Sequence, residues 1–187
     1  MPIPLTWDLF IFVFFGINIA YSYIIGRSGT LKIIISSYVA ILAANGIGNI
    51  LERYIVGSQP IAGFIAVNTG AEAMVIFKIA VFVIVTLLLV MRGAFHVTVH
   101  EEDSKVMAML VNLTYGFLSA GLISSTILVY VTGGFFGGIV GPGPATLQVG
   151  SPLIQTLINN YSIWFALPAV IFMISSFLNE KVVPSSE

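Results

Sequence analysis

An all-α polytopic transmembrane helical bundle of four to five spans is the fold class that this sequence predicts. Three observations lead there. Charged residues make up 8% of the chain and hydrophobic ones 58%, whereas soluble domains carry about 25% charged residues. Several apolar runs approach the ~20 helical residues needed to cross a hydrocarbon core of about 30 Å. The charges fall almost entirely between those runs. A length of 187 residues suits a single integral membrane domain, 1–187, and is short for two domains.

The first span runs from about Asp8 to Ile25 and stops at Gly26-Arg27-Ser28-Gly29. No basic segment precedes it and no small-residue cleavage site follows, so it reads as a permanent helix and not as a removed signal. The second span begins near Leu31, runs to about Leu51 and is closed by Glu52-Arg53. The third, about Ala73 to Phe95, is interrupted only by Lys78 and Arg92. A polar turn follows, with His96, His100, Glu101, Glu102, Asp103 and Lys105. The fourth span runs from about Val106 to Val131. The fifth, about Ile158 to Leu178, contains Pro168, which membranes tolerate when neighbours satisfy the freed carbonyl. Asn159, Asn160, Ser162 and Trp164 would equally suit an interfacial or half-inserted helix.

Lys and Arg orient such a bundle. With five spans, Arg27, Lys32, Arg92, Lys105 and Lys181 fall on one side. Only Arg53 and the in-span Lys78 fall on the other. This distribution predicts an outer N-terminus and a cytoplasmic C-terminus. The two connections on the outer side are apolar. Tyr54 to Ala71 carries Ile61, Phe64, Ile65 and Val67, and Gly133 to Pro152 is glycine-rich and uncharged. Both are expected to fold over the bundle, lie on the membrane surface or enter it part-way.

Composition also excludes function classes. A formal net charge of −1 leaves no basic surface for nucleic acid. The absence of cysteine excludes disulfides, iron–sulfur clusters and thiolate zinc sites. No nucleophile elbow, HExxH motif, P-loop or paired intramembrane aspartates occur. The chain therefore reads as non-enzymatic, and no cofactor is implied.

Polar residues inside the spans are the candidate functional positions. Asn45, Asn49, Glu52 and Arg53 recur at helical spacing along one stripe. Asn18, Tyr21 and Ser22 share a face of the first helix, and Asn112, Tyr115 and Ser119 a face of the fourth. Such residues either bond helices together or line a hydrated path, and in both cases they face the bundle interior. The packing reading is preferred. Glu72 and Lys78 are costly at depth. Lys78 is expected to snorkel, with Glu72 or Glu52 as its carboxylate partner, and an ion or proton relay is the alternative. His96 and His100, four residues apart, are a weak metal candidate without a third ligand. Ala40, Ala44 and Gly48, and Gly116, Ala120 and Ser124, recur every four residues. Small residues at that spacing let backbones approach, which places the second and fourth helices at the bundle centre.

The chain resembles the colicin V production protein family of bacterial inner-membrane proteins. The resemblance rests on the Asp8-led first span and on the basic turn Gly26-Arg27-Ser28-Gly29-Thr30-Leu31-Lys32. It continues in Ser104-Lys105-Val106 leading into Tyr115-Gly116-Phe117-Leu118, and in Ser151-Pro152-Leu153-Ile154 before the last helix. Here the turn has Gly before Arg, opposite to the family's usual order, and the glycine-rich loop and long last helix are atypical. The resemblance implies a small multi-span protein of the bacterial inner membrane, linked to toxin export or envelope maintenance. Expected partners are membrane lipids and other membrane subunits, or copies of the chain itself in a homo-oligomer. The alternative expectation is a small-solute or ion transporter or channel.

Overall fold

A computed structural model describes residues 7–51, 71–93, 105–132 and 151–180. The described elements are all helices: α1 (Trp7–Leu51), α2 (Ala71–Arg92), α3 (Lys105–Val131), α4 (Pro152–Asn159) and α5 (Tyr161–Glu180). Three of them, over Asp8–Leu51, Met74–Arg92 and Val106–Val131, are long and apolar enough to cross a membrane. A fourth candidate span is the α4–α5 pair, bent by 61°.

At 45 residues, α1 would measure about 67 Å if straight, twice the hydrocarbon thickness. It is not straight. Gly26 has φ 75° and ψ −179°, outside helical space. The hydroxyls of Ser22 and Thr30 meet at 2.7 Å, although eight residues of unbroken helix would separate them by about 12 Å. The chain therefore doubles back at Gly26, leaving a first arm before it and a second arm after it.

Contacts with α3 fix the direction of each element. On the first arm, Ser22 donates to the Asn112 carbonyl (3.0 Å), while Ile11 packs with Leu128, so this arm runs antiparallel to α3. On the second arm, Arg27 lies over the Tyr115 ring and the Ile41 carbonyl accepts from the Tyr130 hydroxyl, so this arm runs parallel to it. Lys78 of α2 rests on Gly48 and Phe82 meets Tyr130, which makes α2 antiparallel to the second arm. Ile154 of α4 packs with Leu128 and Trp164 of α5 with Phe117, so this pair also runs antiparallel to α3. Helix α3 is the hub, packed on α1, α2, α4 and α5.

The bundle is apolar outside and hydroxyl-rich inside. Phe12, Ile17, Ile24, Leu42, Ile76 and Met91 are each more than 60% exposed. Ser22, Thr30, Ser36, Ser37, Ser125 and Thr126 are almost wholly buried. Water as solvent would reverse this arrangement, and lipid requires the polar groups to turn inward.

Local chemistry sets the helix ends. Gly93, at φ 61°, closes α2 in the left-handed conformation that glycine adopts without strain. Ser151 caps α4, accepting from the Ile154 N–H at 3.3 Å, and Pro152 occupies the first turn, where its missing N–H costs nothing. The Ser151 hydroxyl also donates to the Asp8 carboxylate, tying α4 to the start of α1. Pro168 breaks the ladder inside α5. Near it the Tyr38 hydroxyl of the second arm donates to the Phe165 carbonyl.

Three boundaries differ from the sequence expectation. The second arm starts directly after Gly26 and not near Leu31, because one glycine makes the whole turn and Gly29 stays helical. Ala71 already belongs to α2. The last run is a bent pair starting at Pro152, broken where the Asn160 side chain and backbone N–H both turn back to the Thr156 carbonyl. The bulk of both apolar connections, together with Glu52, Arg53, His96 and His100, lies outside the described residues. Glu72 sits in the first turn of α2, but its side chain is also outside that set.

Candidate functional site

The seam between the second arm, α2 and α3 collects the polar interior. Two contacts set its register. Arg27 lies level with Tyr115, and Ile41 with Tyr130. Along these parallel helices Ser36 and Ser37 must then stand level with Ser124, Ser125 and Thr126. On α2, Phe82 is level with Tyr130, so Thr86, one helical turn further on, reaches the same layer. The layer lies about 16 Å along the second arm from Gly26 and about 22 Å from Leu51, near mid-depth.

The hydroxyls of this layer are unusual in their bonding. Thr30, Thr114, Thr126, Thr132 and Thr156 each donate to the carbonyl four residues earlier, the ordinary local solution for a hydroxyl in a helix. The buried oxygens of Ser36, Ser37, Thr86, Ser124 and Ser125 make no hydrogen bond, nor does Oδ1 of Asn45 one turn beyond Ile41. Buried polar groups are normally paired, and each unpaired one costs about 1–3 kcal/mol.

At the turn end, Ser22 approaches both Thr30 and the Asn112 carbonyl, while Thr30 also donates to the Gly26 carbonyl. Two hydroxyl protons therefore serve three short contacts. Arg27 lies 5.7 Å from the Tyr115 ring centroid, within cation–π range.

Three glycine notches close the helix pairs around the seam. A Cβ on Gly116 would stand 2.7 Å from the Ser22 Cβ and 3.2 Å from the Ile19 Cα. One on Gly48 would stand 2.6 Å from Cε of Lys78. One on Gly121 would overlap the Trp164 ring. Trp164 is in turn packed against Phe117 at 5.4 Å and Phe15 at 6.1 Å, so one aromatic cluster joins the first arm, α3 and α5.

Sequence-derived candidates occupy varied positions. Ala40, Ala44, Gly48, Gly116, Ala120 and Ser124 are all buried. Asn45 is buried but Asn49 is exposed, because residues four apart differ by about 40° on a helix and that rotation carries Asn49 off the seam. Asn18 is half-buried and its amide turns back to the Phe14 carbonyl. Asn112 contributes its backbone carbonyl to Ser22. Lys78 is half-buried with its stem across Gly48.

Sequence reasoning passed over Ser36, Ser37, Thr86 and Ser125. A signal was available in the adjacent pairs Ser36-Ser37 and Ser124-Ser125. Two neighbouring serines cover about 100° of a helix surface, so a pair inside a span raises the chance that one faces the interior.

Comparison with protein-family models, with curated proteins and with solved structures gave no match.

Proposed function

We propose that this chain is a five-pass, non-catalytic subunit or accessory of a membrane assembly. The count of passes comes from the two arms of α1, the helices α2 and α3, and the bent α4–α5 pair, each running opposite to the one before it. Arg27 and Arg92 sit at the turn end of the bundle and Asp8 at the other. The positive-inside rule then puts the turn in the cytoplasm and the N-terminus outside. The resemblance to colicin V production proteins leans toward the bacterial inner membrane and an envelope or export system.

The observation that carries the scaffold reading is the set of glycine notches at Gly48, Gly116 and Gly121. Gly116 brings α3 close to the backbone of the first arm, while Gly48 and Gly121 seat the Lys78 stem and the Trp164 ring, and such close packing builds a rigid block more readily than an open conduit. The wide apolar faces of the first arm and α2 remain for lipid or neighbouring subunits. Mild crosslinking in native membranes should trap the chain with other membrane subunits or with copies of itself. A strictly monomeric chain in detergent, with no crosslinked partner in membranes, removes this reading.

A second reading is favoured by the unpaired polar atoms. From Asn45 through the Tyr130 hydroxyl to the mid-depth serines and on to Ser22 and Thr30, polar groups occur at successive levels of the bundle interior. That is what a path for a small solute or ion would require. Asn45→Leu should abolish flux in reconstituted vesicles under this reading. Absence of flux in the unaltered chain decides for the scaffold.

A further inference from the structure

We infer that α4 is an interfacial helix. It lies close to the membrane plane at the end of the bundle opposite the Gly26 turn, and its polar face binds the headgroup and glycerol layer of the lipid. This rests on the five-pass reading, with α5 alone as the last crossing, and requires neither the scaffold nor the transport role.

Two contacts fix the levels of its ends. The Ser151 hydroxyl donates to the Asp8 carboxylate, so α4 starts level with the start of the first arm. The rings of Phe15 and Trp164 meet at 6.1 Å, which sets the first arm and α5 side by side, both running toward the turn end. Phe15 lies about 10 Å below Asp8 along its helix, and Trp164 about 6 Å below Asn160. Asn160 therefore stands within about 5 Å of the level of Asp8. Helix α4 has 8 residues and is about 12 Å long, so it drops by less than half its length. The bend of 61° between α4 and α5 agrees. With α5 upright, that bend leaves α4 roughly 30° from the membrane plane.

Composition brackets the crossing at the same place. The apolar run from Tyr161 to Leu178 has Asn159-Asn160 before it and Asn179-Glu180 after it. As a helix it covers about 26 Å, close to the hydrocarbon thickness. The first arm shows the same frame, from Asp8 to Arg27. Because α5 is long enough to cross alone, α4 is not needed inside the hydrocarbon.

The side chains of α4 divide accordingly. Ile154 and Leu157 are buried and pack with Ile11 and Leu128. Pro152, Gln155, Thr156 and Asn159 are exposed. Their i, i+3, i+4, i+7 spacing places them on one stripe, which Asn160 continues. A helix divided in this way is held in the interface, apolar face inward. No residue of α4 is charged. Its amides and hydroxyl offer donors and acceptors, which suit phosphate oxygens, ester carbonyls and headgroup water without regard to lipid charge.

The chain has no cysteine, so single spin labels can report each level in the full chain. The labelled variants are Gln155→Cys, Asn159→Cys, Leu167→Cys and Val170→Cys, all at exposed positions, in phosphatidylcholine vesicles. Two relaxation agents are compared: oxygen, which concentrates in hydrocarbon, and nickel held on the headgroup of a chelating lipid. Each variant should keep the helical circular dichroism of the parent. Nickel should dominate relaxation at Gln155 and Asn159, and oxygen at Leu167 and Val170. Oxygen-dominated relaxation at Gln155 and Asn159 would overturn the inference, because α4 would then continue the span at depth. Weak relaxation there by both agents would also overturn it, because water or protein and not lipid headgroups would cover the polar face. Oxygen dominance at Leu167 and Val170 in either case would confine the failure to α4, whereas its absence would bring down the five-pass reading as well.

Discussion

Gly26→Ala is the most discriminating substitution in this chain, because Gly46 supplies its control. Both glycines belong to α1, and a Cβ added to either would meet nothing within 4 Å. Steric contact with neighbours therefore cannot distinguish them. The backbone does. Gly46 is helical, and alanine there should gain up to about 1 kcal/mol of helix propensity. Gly26, at φ 75° and ψ −179°, lies in a region that is essentially open to glycine alone. A side chain there costs on the order of 1–3 kcal/mol. The two variants should differ by roughly 1–4 kcal/mol in opposite directions. Unfolding in mixed micelles, followed by helical circular dichroism, measures that difference.

A second readout concerns the turn itself. The chain has no native cysteine, and the Ser22 and Thr30 hydroxyls lie 2.7 Å apart. A Ser22→Cys, Thr30→Cys pair should oxidise readily in the otherwise unaltered chain. It should do so less in the Gly26→Ala background, where a straightened helix would hold the thiols about 12 Å apart. Equal stability of Gly26→Ala and Gly46→Ala, together with a pair that fails to crosslink, would refute the hairpin.

Other substitutions test the packing. Gly121→Ala should destabilise by about 1–2 kcal/mol, since overpacking costs roughly 1–3 and better propensity returns part of it. In a Trp164→Ala background the same change should become neutral or stabilising, and a double-mutant cycle reads that coupling. Tyr38→Phe, which removes the donor to the Phe165 carbonyl, should cost about 0.6–1.7 kcal/mol, the range for interhelical hydrogen bonds in bilayers. Asn49→Leu should leave unfolding unchanged or raise its midpoint, because Asn49 is exposed. Asn45→Leu should behave differently, because Asn45 faces the seam.

Much of the fold was legible in the sequence, for a reason particular to membranes. Backbone hydrogen bonds must close within each span, so hydropathy alone locates the helices. The small-residue rows at Ala40, Ala44 and Gly48 and at Gly116, Ala120 and Ser124 likewise pointed at the interior, because only small side chains admit a second backbone. Helix rotation was less legible. Asn45 and Asn49 share a stripe on paper, yet the seam admits one and not the other. Serine was the least legible of all. A hydroxyl can bond the preceding turn of its own helix, so a serine in a span reveals nothing about its surroundings until the neighbouring helices are placed.

The hairpin at Gly26 links these features. By reversing the chain there, α1 presents two arms to α3 in opposite directions. The first delivers Ser22 and Ile19 to the notch at Gly116, and the second delivers Ser36, Ser37 and Asn45 to the seam. A continuous α1 would carry its second half away from α3. Ile41 would then leave Tyr130, and Ser37 would leave the level of Ser125. The polar interior is thus a consequence of one backbone conformation that only glycine adopts cheaply. It follows that substitutions at Gly26 should disturb residues in the mid-depth layer about 16 Å away along the second arm, whereas substitutions at Gly46, nearer in sequence to Asn45, should not.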